Sequence, residues 1–280
     1  MIVAHSPDEI RRWSREHVAQ GRSVALVPTM GALHDGHLRL IETARRHADL
    51  VAVSIFVNPL QFERSDDFDH YPRPLADDLE ACEKVRVDAV YAPTTDAMFR
   101  AGFDTSVVPG SLGEILEGAH RSGHFRGVAT IVAKLLHAVE PAVAVFGEKD
   151  AQQLAVIRRM VDDLDIGVEI VGVATVREPD GLALSSRNRR LTAAQRRQAV
   201  CVPQALAAIR AAFDHGEQSV SRLVDEARRV IDAAPLARLE HLEIVDPLTF
   251  RSLDIVGPTG ALVVTAVWFG EVRLIDNCQL

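Results

Sequence analysis

The chain has 280 residues, with 31 Lys plus Arg against 39 Asp plus Glu and a formal net charge of −8, a balance that argues against a large nucleic-acid interface. Apolar residues make up 48%, enough for a real core, yet no uninterrupted apolar run approaches the ~18 residues needed to cross a bilayer. Cys82, Cys201 and Cys278 are odd in number and far apart, with no metal or redox spacing, and read as buried thiols of a reducing compartment.

The N-terminal MIVAHSPDEI carries neither a basic n-region nor an apolar h-region, so secretion is not expected. Ser6-Pro7 is an N-cap and first-turn pair, and Ile10, Trp13 and Val18 follow near helical period up to Gly21. Val24 to Val27 reads as a buried strand and leads through a glycine-containing turn to a helix bearing Leu38, Ile41 and Ala44. Val51 to Val57 is a second strand. Leu75, Leu79, Cys82 and Val85 mark a helix, and Asp88 to Ala92 the next strand. A helix from Gly127 to Val139, a strand from Ala142 to Phe146, a helix from Asp150 to Leu164 and a strand from Val168 to Val176 complete the series. Strands alternating with helices of this length predict an α/β fold, a doubly wound, Rossmann-like parallel sheet over residues 1–176. Residues 177–280 read as a smaller C-terminal α+β domain. It has helices at Thr192 to His215, kinked or broken by Pro203, and at Ser219 to Ala233, then antiparallel strands at Leu239 to Val245, Ala261 to Phe269 and Val272 to Ile275.

PTMGALHDGH, Pro28 to His37, follows the first of these strands and opens a helix, where open α/β sheets bind ligands. Gly31 and Gly36 permit close backbone approach, the helix N-terminus offers N–H groups to an anion, and His34 and His37 can share one side of the first turn. The pair suits nucleotide phosphates. The same residues also fit a capped helix with two solvent-facing histidines, and a zinc site lacks an evident third ligand. FGEKD, Phe146 to Asp150, leaves the end of another parallel strand; Lys149 offers a point charge to phosphate, and Asp150 an acceptor for ribose or a helix cap. One of Gln152 and Gln153 can turn inward onto a polar substrate group. LSSRN, Leu184 to Asn188, sets two hydroxyls beside an arginine, a clamp for a triphosphate or simply a solvated link. Gln61 sits in the loop VNPLQF and suits a hydroxy acid. The run Asp66, Asp67, Asp69 reads as a solvated face, and Asp77 and Asp78 as helix-dipole partners, with a water-mediated magnesium contact a minor alternative. His124 to Gly127, after a glycine-rich approach, reads either as a flap that orders over substrate or as a surface loop.

PTMGALHDGH, SIFVNPLQF, YPR, HFRGV, FGEKDAQQL and DGLALSSRN follow one another in this order. Together they resemble the pantoate–β-alanine ligase (pantothenate synthetase) family, in the nucleotidyltransferase group related to class I aminoacyl-tRNA synthetases. HDGH is similar to that group's H-I-G-H signature and LSSRN to its lysine-serine signature, and the motifs span Pro28 to Asn188. The resemblance implies ATP-dependent condensation of (R)-pantoate with β-alanine to pantothenate, AMP and pyrophosphate through a pantoyl adenylate. It implies a cytoplasmic homodimer without nucleic-acid or membrane partners, with Mg2+ carried on the ATP and no protein-bound metal. By the same resemblance Met30, Gly31, Ala32, Leu33, His34, Asp35, Gly36 and His37 bind ATP, with both histidines on the phosphates and His37 as proton donor. Gly147, Glu148, Lys149 and Asp150, then Val176, Leu184, Ser185, Ser186 and Arg187, complete that site, over which the C-terminal domain closes. His34, His37, Lys149 and Arg187 are the implied catalytic set. Gln61 and Gln153 hold pantoate, Gln61 also lying near β-alanine.

The sequence departs from the family pattern at three positions. Ala151 replaces an aromatic residue, Leu184 a methionine, and Glu63 stands where glycine is common. These changes bear on pocket shape and loop behaviour rather than on the polar set. A nucleotidylyltransferase with a phosphate acceptor would need basic residues where this chain has Gln61 and Gln153. A nucleotide-binding module without catalysis would have little use for His34, His37, Lys149 and Arg187 together. A tRNA synthetase has no room here for an anticodon-binding domain.

Overall fold

The computed structural model describes residues 1–62 and 68–280; Glu63, Asp66 and Asp67 lie outside the described residues. The chain divides into two compact units, Met1–Glu148 with Gln152–Ala174, and Thr175–Leu280 with Lys149–Ala151.

The first unit is a six-stranded, all-parallel sheet in the order β1-β4-β3-β2-β5-β6. Its strands are β1 (Ile2–Ala4), β2 (Val24–Thr29), β3 (Leu50–Ile55), β4 (Ala89–Tyr91), β5 (Val143–Gly147) and β6 (Glu169–Val173). The longer helices are α1 (Pro7–Val18), α2 (Asp35–His47), α3 (Leu75–Lys84), α4 (His124–Val139) and α5 (Ala151–Asp163). Period-2 alternation along the strands divides the core. Val24, Leu26 and Ala52 pack with Ile10 and Trp13 of α1, Phe125 and Val128 of α4 and Ile157 of α5. Ala25, Val27, Val51 and Val53 face the opposite way, onto Ile41 and Ala44 of α2 and Cys82 of α3. Both faces are therefore covered, which is the doubly wound arrangement. Its order reverses at β2, flanked by β3 and β5, and the crevice beyond the carboxyl ends of these strands is where such sheets bind ligands.

Several boundaries differ from the sequence expectation. β1 has three residues, too few for periodicity to reveal. The second predicted strand ends at Ile55 rather than Val57, and β6 spans only Glu169–Val173 at the sheet edge. α4 begins at His124, capped by Gly123 at φ +74°, so the expected flap-or-loop residues His124 and Phe125 are buried helix.

In the second unit, α6 (Ala193–Ala199), α7 (Cys201–Asp214) and α8 (Val220–Asp232) pack with an antiparallel sheet of β7 (Ala237–Val245), β8 (Leu262–Phe269) and β9 (Val272–Gln279). Pro203 breaks the predicted helix, but the break falls at Val200. Pro203 lies in the first turn of α7, and a proline cannot continue a helix from its i−4 residue, here Ala199, the last of α6. β9 runs four residues past the predicted Ile275 because buried Asp276 interrupts the apolar pattern. Its carboxylate is satisfied by a bidentate pair with Arg177, at 2.7 and 2.9 Å. Burial pushes the Cys82 thiol up to about 12 and Cys201 and Cys278 up to about 11, so all three stay protonated at neutral pH.

Candidate active site

The polar motifs of the first unit leave the carboxyl ends of β3, β2 and β5, neighbouring strands whose order reverses between β2 and β5. After Thr29 the backbone makes an abrupt turn, with Gly31 at φ +81° and Ala32 at φ +51°. A left-handed alanine costs about 1 kcal/mol, so the turn needs external support. Asp78 of α3, 3% exposed, supplies it. Its two carboxylate oxygens accept the N–H groups of Ala32 at 2.9 Å and Leu33 at 2.7 Å. The Thr29 hydroxyl anchors the other side, donating to the Ser54 carbonyl at 2.8 Å and accepting the Gly31 N–H at 3.2 Å.

The turn delivers the chain to α2 through a capping box built entirely of histidine. His34 is the N-cap, its Nδ1 accepting the Gly36 N–H at 3.1 Å, and His37 Nδ1 accepts the His34 N–H at 3.3 Å. The ring centroids stand 4.1 Å apart. A ring nitrogen that accepts an N–H carries no proton, so each imidazole has its proton on Nε2. Several N–H groups around the start of α2 are taken up within the chain. The Gly36 N–H belongs to His34, the His37 N–H to the His34 carbonyl at 2.8 Å, and the Ala32 and Leu33 N–H groups to Asp78.

Gln61 ends a short 3₁₀ turn, Pro59–Gln61, after β3. Its Nε2 donates to Met30 Sδ at 3.0 Å, which brings the pantoate candidate against the first residue of the ATP candidate segment. Asn58, 1% exposed, orients it: Asn58 Nδ2 donates to Gln61 Oε1 at 3.1 Å and to the Gly127 carbonyl at 3.1 Å. The Gln61 carbonyl is met by His124 Nδ1 at 2.9 Å and accepts from Arg121 at 3.3 Å. α4 comes this close because residue 127 is glycine; a Cβ there would lie 2.3 Å from the Leu60 carbonyl oxygen. Of the glutamine pair opening α5, Gln152 is buried and structural, bonding Leu112, Ile115 and Glu117 backbone groups, while Gln153 is only partly buried.

Most of the other candidates belong to the second unit. Lys149 and Asp150 lie in a 3₁₀ turn, and Asn277 of β9 donates to the Lys149 carbonyl at 2.9 Å. Val176 accepts the Leu184 N–H at 2.9 Å, which brings those two sequence candidates together. Ser185 caps the turn Ser186–Arg190, its Oγ accepting the Arg187 N–H at 3.2 Å. Asn188 fixes that turn through Glu178 at 3.1 Å and the Ala183 carbonyl at 3.0 Å, and Arg196 holds Glu178 at 2.7 Å. In the first unit, Gly147 ends β5, and Glu148 follows it.

Asn58 and Arg121 were not singled out by the sequence, His124 was read only as part of a flap or a surface loop, and Asp78 only as a helix-dipole partner or a minor magnesium contact. Asn58 before Pro59 carries a turn signature, but nothing in spacing links it to Gly127, and Asp78 beside Asp77 is indistinguishable from an ordinary helix-start carboxylate.

The family model described as pantoate-beta-alanine ligase matches residues 2–279. A pantothenate synthetase of Chloroflexus aggregans is 50% identical over 280 residues, all of both chains. The crystal structure of a Thermus thermophilus pantothenate synthetase superposes with a TM-score of 0.93 at 44% identity, covering 99% of each chain. That of a Francisella tularensis pantoate-beta-alanine ligase, complexed with beta-gamma ATP and beta-alanine, superposes with a TM-score of 0.81 at 32% identity, covering 99% of this chain and 97% of that one.

Proposed function

We infer that this chain, which belongs to the pantoate–β-alanine ligase family, condenses (R)-pantoate with β-alanine at the expense of ATP, giving pantothenate, AMP and pyrophosphate. The observation that carries this reading is the family match from residue 2 to residue 279, and the histidine capping box supplies chemistry that suits it.

The pantoate carboxylate is ionised at neutral pH and needs no general base. It attacks the α-phosphorus of ATP; a carboxylate O–P bond forms, the bond to the bridging oxygen breaks, and pyrophosphate leaves. What this step requires is alignment and stabilisation of charge on the phosphoryl oxygens. His34 and His37 supply preoriented Nε2–H donors, with His37 at the leaving oxygen. Lys149 adds a point charge, and Arg187, Ser185 and Ser186 a second set of donors. The remaining backbone of Met30 to His37, of Gly147 to Asp150, and at Val176 and Leu184 shapes the nucleotide pocket. Gln61 and Gln153 hold pantoate through its hydroxyl and carboxylate oxygens. In the second step the free amine of β-alanine, placed near Gln61, attacks the acyl carbonyl. The C–N bond forms, the acyl C–O bond breaks, and AMP leaves with release of a proton.

ATP enters as its magnesium complex, so the metal is part of the substrate. The resemblance further supports a homodimer working in the cytoplasm, and light scattering at micromolar protein tests the dimer. Among the described residues no helix is long and apolar enough to cross a membrane. Incubation with MgATP, pantoate and β-alanine followed by nucleotide analysis tests the reaction: AMP with pyrophosphate is expected, whereas ADP with phosphate rules out adenylate chemistry.

A further inference from the structure

We propose that Asp78 is a positioning residue for the ATP-binding histidines, locking the strained turn that precedes them; this rests on the reading that Met30 to His37 bind ATP. Asp78 sits in the first turn of α3, inside the unit, and touches no atom of the histidine rings through any described bond. What it grips is backbone. One oxygen takes the N–H of Ala32 and the other that of Leu33, at 2.9 and 2.7 Å. Consecutive N–H groups in a left-handed turn form a concavity that binds anions. Here the anion is the protein's own carboxylate, and the positive end of the α3 dipole lies behind it.

The fit is close on the other side as well. A Cβ at Gly31 would lie 2.7 Å from Asp78 Oδ2 and 3.1 Å from a methyl carbon of Ile55, so the carboxylate rests against bare backbone. Gly31 and Ala32 both hold positive φ, at +81° and +51°. Without the carboxylate the Ala32 and Leu33 N–H groups lose their acceptor, the Thr29 hydroxyl holds only the Gly31 side, and the turn relaxes toward ordinary dihedrals. His34 follows Leu33 directly, and its own N–H anchors the His37 ring. A rotation at Ala32 therefore displaces both Nε2–H donors together. Asp78 acts on catalysis through geometry and leaves charge neutralisation to other groups.

Asp78→Asn is the discriminating variant. It keeps the shape but offers one acceptor oxygen and points an NH2 at the second amide. Hydrogen–deuterium exchange of the peptide spanning residues 30–34, in protein without nucleotide, reads the lock itself and does not depend on ATP binding. Exchange there should speed by about tenfold or more while the sheet stays protected. Titration of ATP in EDTA, with no divalent cation, should show affinity falling by about tenfold, with pantoate affinity within about twofold of the parent. If Asp78→Asn destabilises the unit globally, Asp78→Glu, which keeps the charge but carries the carboxylate off the two amides, should give the same local exchange and the same split between ligands. Unchanged protection at residues 30–34 overturns the lock. An ATP defect that appears only when magnesium is present overturns it equally, since that outcome assigns Asp78 to the metal. If the parent protein itself fails to bind ATP, the functional reading falls, and the exchange experiment still decides whether Asp78 holds the turn.

Discussion

His37 concentrates the account at the scale of one residue. Its Nδ1 is occupied by the backbone of His34, so its Nε2–H is fixed in direction before any substrate arrives. Preoriented donors of this kind commonly contribute about 10²-fold or more, so His37→Ala should lower turnover by about 10²-fold while circular dichroism and melting stay near those of the parent. A folded variant with near-normal turnover removes His37 from the chemistry. Gln61 and Gln153 make a different prediction, because uncharged amides match hydroxyl and carboxylate oxygens rather than a triphosphate. Alanine at either should weaken pantoate more than ATP in separate calorimetric titrations, and the opposite order contradicts the assignment. His37 and Gln61 stand in short motifs near a glycine or proline that follows a strand, which made them visible as candidates, whereas the pantoate role of Gln153 came from the family resemblance alone. The structural roles of Asn58 and Asp78 were not visible, since their partners are backbone groups of Gly127, Ala32 and Leu33 and come close only when the sheet has formed.

Between elements, α4 packs against the Pro59–Gln61 turn, which carries the proposed pantoate residue Gln61. Gly127→Ala would place a methyl group 2.3 Å from the Leu60 oxygen and 2.7 Å from the Gln61 nitrogen, both backbone atoms. Overpacking of this kind costs about 1–3 kcal/mol, so the melting temperature should fall and pantoate binding should weaken, with Gln61 swung away from Asn58. Unaltered melting and pantoate affinity would show that the turn yields freely. The alternation of strands and helices revealed most of this architecture, since apolar period alone distinguishes α1, α2, α3 and the five strands from β2 to β6. It failed where a polar group is buried by pairing, as Asp276 is in β9, and where an element is too short to show a period, as in β1.

For the whole molecule, the charge pattern fixes the expected response to acid. Glu140 is held below its ordinary value by the Arg15 guanidinium, Asp49 by the Ser23 N–H and hydroxyl, and Asp246 by the Thr249 N–H. A carboxylate whose folded value is lowered adds stability that is complete above its unfolded value, 4.5 for Glu and 3.8 for Asp, and is lost as pH falls through the folded one. Melting temperature should therefore be level from neutral pH down to the carboxylate range and then drop; a steady decline beginning at neutral pH would point to other groups. The central claim concerns the reaction itself, and pyrophosphate exchange tests it most directly. If pantoate is activated before the amine arrives, the protein with MgATP and pantoate alone should move labelled pyrophosphate into ATP. Lys149→Ala and Arg187→Ala should slow that exchange by about tenfold or more, the cost of a lost charge-assisted contact. Exchange that requires β-alanine, or none with pantoate at all, would contradict a pantoyl adenylate formed at this site.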